Sequence, residues 1–212
     1  SQTGTDTGGT KTDAGNQAGT DAGGAKTDAG PQTSDWTIEK LQKSVDEKEC
    51  AAAPGGFLNG PKEVTLKGVV VATPPLTKVD SKKTLDGVFL QTKGGGPWNG
   101  MYVIGPTGAD IANLKAGDVV DVTGDVLDYY CLTEFKATAV SVKGTELPVA
   151  ATVTLDQLGV HAKPEDNEAL ESVLVKLGAV VVSDPEPKST TGKTFCGFWV
   201  GKDADDKALL VV

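Results

Sequence analysis

The sequence predicts a mainly β chain. A five-stranded Greek-key barrel is expected within residues 35–150, a second, incomplete β unit over 151–212, and a disordered tail over 1–34. Three observations predict this. Glu63–Gly144 reads as five short segments of β-branched and aromatic residues separated by turn residues, with a helical turn between the third and fourth. The first 34 residues hold no Leu, Val, Ile, Phe or Met, so they cannot bury enough apolar surface to offset the entropy of ordering them. Three short motifs from the first half recur, in the same order, in the second.

The tail is rich in Gly, Thr, Asp and Ala and carries a quasi-repeat at Asp6, Asp13, Asp21 and Asp28. No position in it is apolar, which excludes a heptad. A calcium-binding β-roll repeat is disfavoured because the large apolar residue such repeats pack inside is missing. The segment reads as a flexible tether. Asp35–Glu49 follows as a helix, capped by Ser34 or Asp35, with Trp36, Ile38, Leu41 and Val45 at helical spacing. Ala51–Pro61 is punctuated by Pro and Gly and reads as a loop.

The strands come next. The first is Glu63–Ala72, ended by Pro74–Pro75, with Gly68 placed for a bulge or bend. Lys78–Thr84 is polar and reads as loop. The second strand is Gly87–Thr92. The glycine turn Gly94–Gly96 leads through Trp98 to the third, Gly100–Ile104. Asp110–Leu114 is the helical turn. The fourth strand, Asp118–Tyr130, has a second bend at Gly124, and the fifth is Leu132–Val142. This order is that of the oligonucleotide/oligosaccharide-binding (OB) barrel. A closed or nearly closed barrel without parallel pairing is expected.

In the second half, Thr154–Gly159 echoes Thr37–Gln42, Leu177–Val182 echoes Leu66–Val71, and Gly197–Lys202 echoes Gly87–Thr92. A duplicated unit is the reading. Its counterpart of the third strand is Ala208–Val212, and it lacks the fourth and fifth. Three strands of a five-stranded barrel leave open edges, so the first barrel covers this unit, or another chain supplies strands, or the natural protein continues past Val212, which is the favoured expectation.

The run GVFLQT, WNGMYVIG and LKAGDVVDVTGDVLDYYCLTEFKA resembles the OB-like domains that accompany bacterial extracellular nucleases. The matching motifs are Phe89–Gln91, Gly100–Val103, Gly117–Gly124 and Tyr130–Glu134, and Leu170–Val182 is similar to the opening strand of the domain that follows in such proteins. The resemblance spans about Thr37 to Val182. It implies an accessory module. It does not imply nuclease activity, because the catalytic domain of those proteins has no counterpart here. The tail is similar to linkers that follow the acylated Cys of bacterial surface lipoproteins. This implies a secreted or cell-surface location, with any lipid anchor outside this chain.

Net charge is −9, with 20 Lys and no Arg. An acidic chain repels phosphate backbones unless it has a local basic patch, and Arg is the side chain best suited to bidentate phosphate contacts. Nucleic acid is therefore a disfavoured ligand. Cys50, Cys131 and Cys196 have no metal or redox spacing, and no cofactor is implied. A Cys50–Cys131 disulfide is expected, with Cys196 unpaired. The chain opens without an initiator Met or an apolar leader core, so any signal sequence is taken as removed or left out, and no run of 18 apolar residues spans a membrane.

No constellation signals catalysis or a metal. His161 is the lone imidazole and reads as a solvated loop residue. Asp118, Asp121, Asp125 and Asp128 lie along the fourth strand. Two of them could act as acid and base or hold calcium, but the row reads as the solvent face of a strand. Asp203, Asp205 and Asp206 read as a hairpin turn, and Gly94–Gly96 as a loop without the Lys-Ser/Thr of a phosphate cradle. The aromatic set Phe89, Trp98, Tyr102, Tyr129 and Tyr130 could plug the barrel or line its ligand face, which crosses the second and third strands. Phe89, Gln91, Trp98, Tyr102 and Tyr129 are the candidate ligand residues. The leading function is a non-enzymatic OB-like module that binds a polymer or a protein. The alternatives are the non-catalytic portion of a secreted nuclease-type hydrolase, and a structural protein that pairs strands with another chain.

Overall fold

A computed structural model describes residues 36–44, 57–80, 83–105, 111–188 and 197–211. The expected tether over 1–34, the helix beyond residue 44, Cys50 and Cys196 lie outside the described residues. By its contacts the chain divides into Ser1–Ser34 and Asp35–Val212, and the second unit contains all that follows.

The unit opens with α1 (Ile38–Gln42), whose N-cap is Thr37: its Oγ1 accepts from Lys40 N at 3.2 Å. The N-cap therefore lies two or three residues beyond the expected Ser34 or Asp35. Seven strands make the main sheet: β1 (Phe57–Asn59), β2 (Val64–Val71), β3 (Leu76–Asp80), β4 (Lys83–Gln91), β5 (Gly100–Gly105), β6 (Asp118–Tyr129) and β7 (Leu132–Thr145). The order β6-β2-β4-β5-β7 closes on itself through a β6–β7 ladder. This is the expected five-stranded Greek-key barrel.

Four of the five pairings are antiparallel, and β5–β7 is parallel, with Tyr102 opposite Glu134 and Val103 opposite Phe135. The expectation of no parallel pair fails for a geometric reason. Strand directions cannot alternate all the way round a ring with an odd number of members, so closure of five strands forces at least one parallel pair.

Alternation puts one side of each strand inward. Leu66, Val88, Leu90, Met101, Val103, Val122, Val126 and Phe135 are all buried in one cluster. Ile38 and Leu41 of α1 join it with Ile111 and Leu114 of the turn before β6, where Leu114 N bonds Ile111 O. Each large apolar side chain so buried contributes about 1.5–3 kcal/mol.

Both expected bends are present. At Gly68 the β2–β6 register shifts between Leu66 and Val69, and Gly68 has φ 63°, a bulge that a glycine accepts without a Cβ penalty. At Gly124 a Cβ would stand 2.2 Å from Lys136 O and 2.7 Å from Phe135 Cε1, so the constraint is close approach. Two expected loops are strands. Phe57–Asn59 pairs with the end of β6, and β3 pairs antiparallel with the start of β4, Lys78 opposite Leu85 and Asp80 opposite Lys83. Backbone pairing, which a polar segment can supply without apolar alternation, accounts for both.

Beyond the barrel, β8 (Ala151–Val153) pairs in parallel with β9 (Val175–Leu177). Between them lie two 3₁₀ turns, Leu155–Gln157 and Gly159–His161, and α2 (Pro164–Ala169). The predicted strand over Leu170–Val182 is thus broken. A three-stranded antiparallel sheet follows, β10 (Val181–Asp184), β11 (Phe198–Gly201) and β12 (Leu209–Val211), over a small core of Leu155, Val200 and Ala208. Asp203 Oδ1 accepts from Asp205 N and Asp206 N, so the acidic run is the β11–β12 turn.

Candidate ligand face of the barrel

The outer side of β4, β5 and β7 is built in rows. Gly87 pairs with Ile104, Phe89 with Tyr102, and Gln91 with Gly100, while Tyr102 pairs on its other side with Glu134. The Phe89 and Tyr102 rings are 4.9 Å apart at 39°. Tyr102 reaches across β4 at Gly87, where a Cβ would stand 2.4 Å from the tyrosine hydroxyl. Glycine at 87 therefore lets the ring lie along the sheet instead of standing off it. Both rings are half-buried, leaving a tilted aromatic pair partly open to solvent. Burial, and then the Glu134 carboxylate opposite, hold the Tyr102 hydroxyl above its ordinary pKa, so it is a neutral donor in ordinary buffers.

Tyr129 and Tyr130 stand at the β6–β7 turn, 39% and 68% exposed, with their rings edge to face at 4.7 Å. Tyr130 and Cys131 both have positive φ, 52° and 62°, at the centre of a two-residue turn of a kind that usually holds Asn-Gly. Asp128 Oδ1 accepts from Cys131 N at 2.8 Å and helps to hold it.

Two candidate residues lie elsewhere than on an open surface. Gln91 is 1% exposed, and its Nε2 donates to Val149 O at 3.1 Å. Trp98 has φ 63°, its N donates to Ala169 O at 2.6 Å, and Lys43 Nζ sits 4.7 Å above its ring. The structure therefore brings Phe89 and Tyr102 together, sets Tyr129 and Tyr130 at the turn after β6, and places Gln91 and Trp98 against downstream chain.

Of the aspartates of β6, Asp118, Asp121 and Asp125 are part-exposed, in keeping with the expected solvent face, and Asp128 is buried. Asp118 accepts from Lys115 N, Asp121 from Gly68 N, Asp125 from Glu63 N and Asp128 from Cys131 N, at 2.8, 2.8, 2.9 and 2.8 Å. Each satisfies a backbone donor at a bulge, a strand start or a turn. His161 is exposed, as expected, but it is not free of contacts. Its Nε2 lies 2.6 Å from Asp206 Oδ1 and ties its 3₁₀ turn to the β11–β12 turn. Among the described residues no cluster of three His, Cys, Asp or Glu is arranged to hold a metal ion.

Sequence reasoning missed Gly87, Glu134 and the contact at Trp98. Gly87 opens the GVFLQT motif and Glu134 closes the Tyr-x-Leu-Thr-Glu motif, so both were in view. Nothing local marks a contact between residues 98 and 169.

No family model matches the chain, and no curated protein matches it. Among solved structures it is similar to the small single-stranded DNA-binding protein from Streptomyces coelicolor, at 19% identity and a TM-score of 0.29, covering 38% of this chain and 94% of that one. It is also similar to the second single-stranded DNA-binding protein (SSBb) from Mycobacterium smegmatis, at 22% identity and a TM-score of 0.27, covering 38% and 89%. Likeness at these scores carries no argument about ligand.

Proposed function

We propose that this chain is a non-enzymatic OB-like binding module that holds an extended polymer across β4 and β5, by stacking on Phe89 and Tyr102. The observation that carries the reading is the ring pair on the outer face, 4.9 Å apart and tilted by 39°, with Gly87 giving Tyr102 room. Rings presented this way offer a π-face to a sugar or a base. Tyr129 and Tyr130 extend the aromatic surface at the adjacent turn. The Glu134 carboxylate beside Tyr102, the net charge of −9 and the lack of Arg favour an uncharged polymer over a phosphodiester chain.

The test is titration of the full chain with a panel of neutral oligosaccharides and with single-stranded oligothymidylate. Saturable binding is expected, and Phe89→Ala or Tyr102→Ala should each weaken it roughly 5- to 100-fold, the range for loss of one stacked ring. If no polymer binds, or both variants bind as tightly as the parent, the reading fails.

A secreted or cell-surface location belongs to the same proposal. Its support is Cys131, which is disulfide-bonded, as fits an oxidising compartment. Cys50 and Cys196 are the partners the sequence holds, and we assign Cys50.

A second reading, in which strands pair with another chain, is favoured by the outer edge of β10. Among the described residues β10 pairs with β11 alone, and Val181 and Val182 stand exposed beside that edge. A concentration-independent monomer mass in solution would refute it.

A further inference from the structure

The outer face of the barrel does not end at the aromatic pair. Its Gln91–Gly100 row continues under Ala169–Val173, which leaves α2 and runs against the ends of β5 and β7. Trp98 N donates to Ala169 O at 2.6 Å, and Thr133 N donates to Glu171 Oε1 at 3.0 Å. Gln42 Nε2 bridges Gly100 O at 2.5 Å and Glu171 O at 3.3 Å. The approach at Gly100 is so close that a Cβ there would stand 2.1 Å from Ser172 O.

This contact gathers unfavourable features. Trp98 and Ser172, at φ 63° and 58°, are two of the five non-glycine residues with positive φ among the described residues. Gln42 Oε1, Gln91 Oε1 and Ser172 Oγ are three of the four buried side-chain polar atoms without a hydrogen-bond partner among the described residues. Backbone strain and unmet acceptors concentrated at one seat weaken that seat relative to the rest of the fold, and such concentrations occur at functional and switching sites.

We propose that Ala169–Val173 is a displaceable strap. Lifting it extends the ligand face onto a subsite where the Gln42 amide oxygen accepts a hydrogen bond from a hydroxyl of a saccharide chain. The proposal rests on the reading of Phe89 and Tyr102 as the binding face. The chemistry follows from the orphan groups. The orphan amide oxygen accepts, so it meets a hydroxyl donor, whereas a phosphodiester oxygen, which only accepts, gains no more than the one Nε2 hydrogen that Glu171 O gives up. The strap bonds Gln42 through the Glu171 main chain, and its departure leaves the Gln42 amide facing solvent.

Hydrogen exchange on the full chain reads the strap without a ligand. The Trp98 and Thr133 amides, which bond to the strap, should exchange through local opening about 100-fold faster than the Leu90 and Val103 amides of the barrel ladder. Gly100→Ala, which pushes on Ser172 O, should speed Trp98 and Thr133 exchange at least ~10-fold and leave Leu90 and Val103 unchanged. Exchange of all four amides together, in parent and variant, would overturn the strap. The subsite is read with Glu171→Ala, which releases the strap from Thr133 but leaves the row beneath intact. On an immobilised neutral-glycan array its signals should rise several-fold over the parent. Unchanged signals, or a larger gain for oligothymidylate than for any glycan, would overturn the subsite. If neither protein binds any polymer, the binding reading above fails and the subsite with it, while the strap still stands or falls by exchange alone.

Discussion

Asp121 shows at a single residue how this barrel is fastened. Its carboxylate accepts from Gly68 N, an amide that the bulge in β2 has removed from the ladder. Asp121→Ala leaves that amide unpaired and should cost about 1–3 kcal/mol, read as a lower urea midpoint. The two bend glycines separate two kinds of cost. Gly68 has nothing within 4 Å of a Cβ, so Gly68→Ala pays only for its φ of 63°, about 1 kcal/mol. Gly124→Ala drives a methyl against Lys136 O and Phe135 and should cost 1–3 kcal/mol or more. Asp128 gives a pH signature. Burial, only partly offset by the hydrogen bonds from Cys131 and Thr133, holds its carboxyl above the ordinary range. Its folded-state pKa thus exceeds its unfolded one. The stability it confers is full below the unfolded value and is lost as pH rises through the folded one. Asp128→Asn keeps an acceptor for Cys131 N, and stability measured against pH should show that slope flattened. The row of aspartates along β6, at Asp118, Asp121, Asp125 and Asp128, was legible in the sequence. Their role was not, because Gly68 and Glu63 lie more than fifty residues from the carboxylates that hold them.

Elements with an apolar period were legible, and elements held by backbone pairing were not. Val64–Val71, Gly100–Gly105 and Asp118–Tyr129 each lie within one or two residues of where their alternation places them. The β3–β4 pairing hides in TKVDSKKTLD, a mostly polar run without apolar alternation, and β1 hides among glycines and prolines. Two carboxylates bond at the β10–β12 sheet, Asp184 to Lys207 and Asp206 to His161. Asp206 is held below the ordinary carboxylate range by the Lys202 amide and then by His161, and Asp184 by its bond to Lys207. A lowered folded-state pKa means stability that is present above the unfolded value, near 4, and lost as pH falls through the folded one. Acidification should therefore loosen β10–β12 before the barrel. The Val200 and Leu210 amide resonances should lose intensity at a higher pH than those of Leu90 and Val103, and simultaneous loss would contradict this.

At the scale of the whole molecule, closure is what the strand order in the sequence encoded, and the parallel β5–β7 pair is its geometric consequence. A Cys50–Cys131 disulfide would tie the segment before β2 to the β6–β7 turn across an ~80-residue loop, contributing about 4 kcal/mol by the chain-entropy account. Peptide mapping under non-reducing conditions should find that pair, and a Cys131–Cys196 peptide would refute it. The candidate face was half legible. Phe89 and Tyr102 follow from the position of the second and third strands, whereas the burial of Gln91 and the seating of Trp98 depend on chain that arrives some 60 to 70 residues later. The central claim is that polymer binds the outer side of β4 and β5. The most direct measurement is amide chemical-shift mapping of the full chain, titrated with whichever oligosaccharide or oligothymidylate binds it. The account predicts that the largest shifts fall at Gly87–Phe89, Gly100–Ile104 and Glu134, with smaller ones at Tyr129 and Tyr130. Shifts confined to β10–β12, or to β2 and β6 on the far side of the barrel, would contradict it.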